Sequence, residues 1–185
     1  MARVGEKEFA RFSVDLALPR EHVDAEFIEA ATSLTGEQAV DGIPRLATLT
    51  FPAQLADKIC ALFEKHGERR TYSSRARDLA DIAMIASQVD LDGNALGVSL
   101  RAEERRRLDA ATLDAPLPET LNLADEQRRD WARRWKKATR DAPIEFDEAL
   151  NVASALVNPV VAGTTHAACW SAARMTWTAD LTASR

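Results

Sequence analysis

Glycine is scarce in this chain of 185 residues: seven are present, and none stands in a G-x-x-x-x-G-K or G-x-G-x-x-G pattern. The usual phosphate-cradling loops are therefore missing, since they need glycine wherever backbone amides approach an anion closely. Histidine is sparser still, with His22, His66 and His166 in separate segments and no metal-ligand spacing among them. The two cysteines, Cys60 and Cys169, lie too far apart to suggest a disulfide framework and read as free buried thiols of a cytosolic protein. No apolar run approaches the ~18 residues of a membrane span, and Met1-Ala2-Arg3 leads into no signal-peptide core. A cytoplasmic chain without a membrane partner is expected.

What is present supports a packed core. With 46% hydrophobic and 29% charged residues, the chain can fill one ordinary domain or two small ones. A net charge of −5 argues against indiscriminate coating of nucleic acid but leaves room for a local basic site.

Residues 9–18 alternate apolar and polar, with Phe12, Val14, Leu16 and Leu18 on one side and Asp15 on the other, which predicts a strand. A short helix is expected near Ala25 to Leu34, closed by Gly36, and a second strand over Arg45 to Phe51. Helices are then expected at Pro52–His66, from a Ser73 or Ser74 cap to about Val89, and from Asp92 or Asn94 to Arg107. Two more follow at about Ala124–Thr139 and Phe146–Val157, after a Pro-bearing connection at 109–122. Trp170 and Trp177 are expected to pack over the last helices.

Two segments carry charges that need a reason. In the first, Phe51 to Ile85, Leu55, Ile59, Leu62 and Phe63 form one helical stripe, and Leu79, Ile82, Ala83, Ile85, Ala86 and Val89 form another. At about 100° per residue Asp78 falls inside the edge of the second stripe and Lys58 flanks the first, while Asp57 and Asp81 fall on outer faces. An unpaired buried carboxylate or ammonium costs several kcal/mol, so a Lys58–Asp78 contact is the economical arrangement. Such a pair either pins two helices together or serves chemistry; spacing alone leaves both readings open. The second segment, Arg128 to Lys137, interleaves six cations with Trp131 and Trp135. It could contact RNA through charge and stacking, or the tryptophans could be core and the cations a solvated face.

The stretch Phe51-Pro52-Ala53-Gln54-Leu55-Ala56-Asp57-Lys58, followed by Arg75-Ala76-Arg77-Asp78-Leu79-Ala80-Asp81-Ile82, resembles the AbiEii/AbiGii toxin family of nucleotidyltransferases. That family shows a Tyr/Phe-Pro opening, a helix with a lysine, and an Arg-x-Arg/Lys-Asp-Leu-x-Asp-Leu signature. Asn158-Pro159-Val160-Val161 also resembles the ending of some members, so the likeness is taken to span residues 9 to about 177.

The resemblance implies an α+β fold. A remnant of a polymerase β-like nucleotidyltransferase sheet would occupy residues 1–51, and a mostly helical bundle residues 52–185. It implies a toxin of an abortive-infection or toxin–antitoxin pair that transfers a nucleotide from an NTP to an RNA acceptor such as the 3′ end of tRNA. Lys58 would contact triphosphate oxygens, and Asp78 would orient it or assist at the acceptor hydroxyl. Arg75 and Arg77 would lie near phosphates, and Asp15 would be a ligand for Mg2+. The family's Gly-Ser loop and Asp-x-Asp should precede residues 9–18, where eight residues stand, so a truncated member, weakly active alone, is expected. The alternative is a non-catalytic helical module that binds RNA or a cognate antitoxin.

Overall fold

The computed structural model describes residues 2–4, 7–10, 25–29, 45–66, 71–72, 75–139 and 144–179. Two antiparallel hairpin pairs come first. Strand β1 (Ala2–Val4) pairs with β2 (Lys7–Ala10) through an irregularity at Ala2/Arg3, and β3 (Ala25–Glu29) pairs with β4 (Arg45–Leu49). The helix expected from Ala25 is thus a strand at its start, in register from Ala25–Leu49 to Glu29–Arg45. Of the strand expected at 9–18 only Phe9 and Ala10 are described; Asp15 lies outside the described residues.

Helix α1 (Phe51–Phe63) starts where Thr50 accepts the Ala53 amide at 3.4 Å and Pro52 fills the first turn. It ends at Phe63 rather than His66, because Glu64 turns extended and Lys65–His66 becomes β5, paired with β6 (Thr71–Tyr72). Helix α2 (Ala76–Gln88) begins at Arg75, which caps it without a side-chain bond. Ser73 and Ser74, the expected caps, are outside the described residues. A short strand β7 (Leu91–Asp92) leads into α3 (Gly93–Asp109), capped by Asp92, whose carboxylate takes the Ala95 amide at 2.6 Å.

After a coil through the two prolines come α4 (Asp125–Ala138) and α5 (Phe146–Val161). α5 runs four residues beyond expectation, with Pro159 inside its last turn. The chain then forms a hairpin of β8 (Ala168–Ser171) and β9 (Thr176–Ala179), with β7 completing a three-stranded sheet. The terminal tryptophans therefore pack from strands. Trp170 is fully buried and donates to Ala86 O at 2.7 Å, Trp177 donates to Leu156 O at 3.1 Å, and their rings meet edge to face at 5.6 Å.

The core is a contiguous cluster of side chains from α1 to α5 and β8. Leu55, Ile59 and Leu62 of α1 and Leu79, Ile82, Ala83 and Ala86 of α2 are all buried, as their stripes require. Burying each large aliphatic group stabilises the fold by about 2 kcal/mol. Gly93 fixes the seam between α3 and the hairpin: a Cβ there would stand 2.2 Å from Thr165 O and 2.7 Å from Ala168 O. The architecture is α+β with small antiparallel sheets. No helix among the described residues is long and apolar enough to cross a membrane.

Candidate functional site

Lys58 leaves α1 near the first turn of α2, and two carboxylates meet it. Its ammonium donates to Asp81 Oδ2 at 2.5 Å and to Asp78 Oδ1 at 3.4 Å. The expected pairing with Asp78 exists, but the shorter bond goes to Asp81, which helical angles alone put on the outer face. The reason is geometric: positions three apart on a helix differ by about 60° and are surface neighbours, so a four-carbon stem reaches both. The side chains of Lys58, Asp78 and Asp81 are 22%, 14% and 30% exposed, which puts the cluster at a rim rather than in the interior.

Asp78 is also the third residue of α2, where unpaired amides and the helix dipole favour a negative charge. Its Oδ2 is buried and accepts no hydrogen bond among the described residues, with Arg75 Nη1 at 3.7 Å. Burial raises the carboxyl above its ordinary value, and the charges of Lys58 and Arg75 only partly offset this. Arg75 is half exposed beside the cluster, whereas Arg77 is exposed and makes no ion pair among the described residues. Lys58, Asp78, Asp81 and Arg75 are thus brought together, and Arg77 flanks them.

A second charged cluster lies on the adjoining face of α1. Arg107 of α3, 5% exposed, donates to Asp57 Oδ1 at 2.9 Å, to the Asp57 carbonyl at 3.0 Å and to Glu103 Oε1 at 2.6 Å, and it pairs with Glu64. Asp57, expected to face outward without a role, ties α1 to α3 through this guanidinium. The sequence marks Arg107 only as the last residue of the expected third helix. Yet the signal was present: Leu96, Leu100, Glu103 and Arg107 recur at helical spacing on one face, and so do Asp57 and Glu64. Cys60, buried beside this cluster, has its thiol pushed up to about 12 by burial and is chemically quiet. Cys169 is only half buried.

In the basic helix the aromatics belong to the core and the cations to the surface. Trp131 and Trp135 are 1% and 3% exposed; Trp135 donates to Ile144 O at 2.8 Å and meets Phe146 edge to face at 5.3 Å. They are core and unavailable for stacking on bases. The surrounding arginines and lysines are exposed. His166 stands exposed in the turn before β8.

The family model described as nucleotidyl transferase AbiEii toxin, type IV TA system, matches residues 2–152. That span starts before and stops short of the expected 9–177, leaving the Asn158–Val161 stretch and both terminal tryptophans outside it. No curated protein and no solved structure matches the chain. The match takes in all of α1 to α4 and both halves of the Lys58 cluster, and by it the chain belongs to the AbiEii toxin family of nucleotidyltransferases.

Proposed function

We propose that this nucleotidyltransferase toxin-like protein moves a nucleotide from an NTP to an RNA acceptor, with the Lys58 cluster as the part that handles the triphosphate. One observation carries the reading: a lysine and two carboxylates from separate helices converge at a rim, where an ammonium is held yet still reachable.

In this reading Lys58 exchanges a carboxylate for phosphate oxygens, and Arg75 and Arg77 add charge for the same anion. Transfer forms a bond from the acceptor oxygen to the α-phosphorus and breaks that phosphorus's bond to pyrophosphate. The hydroxyl proton passes to Asp78, whose raised pKa makes it a better acceptor than an ordinary aspartate. The family generally uses a divalent metal. Among the described residues, however, no group of three or more His, Cys, Asp or Glu is placed to hold one. Asp15 lies outside them, so no step is assigned to Mg2+ and slow transfer is expected. Residues 1–51 are proposed as the nucleotidyltransferase sheet part and residues 52–185 as the helical part. A cognate antitoxin is the proposed protein partner.

The test uses α-labelled NTPs with purified RNA, tRNA included. Slow incorporation that falls at least tenfold in Lys58→Ala and in Asp78→Ala is expected. Equal incorporation by the variants would remove the cluster from the reaction. Binding of RNA with no incorporation by any form would favour the second reading, a non-catalytic RNA- or antitoxin-binding module, for which the exposed cations of α4 speak.

A further inference from the structure

Helix α4 concentrates charge that the rest of the molecule lacks. Its fourteen residues hold six cations (Arg128, Arg129, Arg133, Arg134, Lys136, Lys137) against three acids (Asp125, Glu126, Asp130), a local balance of +3 on a chain of −5. Taking Arg129 as the origin and advancing about 100° per residue, Lys136 falls near −20° and Arg133 near 40°. The buried face, with Gln127, Trp131, Trp135 and Ala138, centres on the opposite side. Arg129, Arg133 and Lys136 therefore form one solvent-facing strip about 10 Å long, with Lys137 near 80° at its margin, Asp125 and Glu126 at its N-terminal end, and Arg134, near 140°, beside the buried face.

Its cations are available. Arg129, Lys136 and Lys137 make no ion pair among the described residues. Arg133 and Arg134 share Asp130 at 2.5 and 3.0 Å, and Arg128 meets Asp147 at 2.8 Å, all with exposed arginines. Exposed pairs of this kind contribute little and break readily for a stronger anion.

The face also lacks what a protein partner needs. Its only exposed apolar residue is Ala132, whereas protein interfaces are anchored by buried aromatic or large aliphatic groups. A row of cations without apolar anchors suits a polyphosphate backbone. α4 packs against α2, which carries Asp78, and is tied to the helix that carries Lys58 by one hydrogen bond, Gln127 Nε2 donating to Leu62 O at 3.1 Å one turn beyond Lys58.

We propose that the outer face of α4 is a binding strip for the phosphate backbone of RNA, holding the body of the acceptor on the helical bundle that carries the Lys58 cluster. The inference rests on the reading that the acceptor is RNA. It assigns no base readout, because phosphate contacts position without specifying sequence and both tryptophans of the helix are buried.

The test is fluorescence anisotropy of a labelled RNA hairpin with the full chain over a range of salt. Arg129→Glu/Arg133→Glu/Lys136→Glu is compared with Arg101→Glu/Arg105→Glu/Arg174→Glu, which changes net charge equally at exposed positions outside α4. Thermal melts confirm that both variants fold. The α4 variant is expected to bind at least tenfold more weakly at low salt, and its slope of log K against log salt to fall by about 2 to 3. The control should keep both.

Equal losses in the two variants would show a general charge effect and overturn the strip. RNA binding unchanged in the α4 variant would overturn it while leaving RNA transfer standing. If the wild type ignores RNA, the acceptor reading itself fails. Salt-sensitive binding of polyglutamate in preference to RNA would instead give the strip to an acidic protein and overturn the inference.

Discussion

Burial works against the charge on Asp78, and that cost locates the tension in the site. Because its folded pKa lies above the unfolded 3.8, the folded state takes up a proton more readily than the unfolded one. Asp78 therefore costs stability as pH rises through that window, and the cost persists at neutral pH. Asp78→Asn, which mimics the protonated form, is expected to melt at or above the wild-type temperature at pH 7. The difference should close as pH falls below 3.8. A clear drop in melting temperature at pH 7 would mean that the ion pair with Lys58 outweighs desolvation. Arg107 behaves in the opposite way, since Asp57, Glu64 and Glu103 share its buried guanidinium and only Glu103 is also shown with a second cation, Arg106. Arg107→Ala is expected to lose about 3–5 kcal/mol in urea denaturation, while a loss under about 1 kcal/mol would show that water can replace the guanidinium.

At the scale of elements, α3 ends in a Schellman turn with the wrong residue in it. Thr112 donates to Arg107 O at 2.9 Å and Ala111 to Leu108 O at 3.0 Å, with Ala111 at φ 53° where glycine is ordinarily found. Ala111→Gly should relieve that strain and raise stability by about 1 kcal/mol in the same denaturation assay; no gain would mean that the turn is unstrained as it stands. The missed elements were missed for related reasons. The β8–β9 turn, Ala172-Ala173-Arg174-Met175, has no Gly, Pro, Asn or Asp to announce it, and Met175 takes φ 49° instead. β3 was hidden because Phe27-Ile28 between glutamates fits a helix as well as a strand, and the deciding partner, β4, lies far along the chain. The helices α1 and α2 were legible because caps, Pro52 and apolar stripes agree.

For the whole molecule, the sequence showed which charged residues had to be near one another but not how many would share one partner. Lys58 and Asp78 were readable from helical angles. Asp81 was not, since 60° decides between rim and outer face and only the approach of α1 settles it. The Arg107 cluster joins α1 and α3, whose mutual placement is a tertiary fact. The account's central claim is that Lys58 is held at the rim to meet a triphosphate. Titration of a fluorescent NTP analogue into wild type and Lys58→Met, with melts of both, tests it most directly. The account predicts binding by the wild type and at least tenfold weaker binding by a variant that still melts cooperatively. Equal affinity in the two would contradict it and return the cluster to a purely structural role.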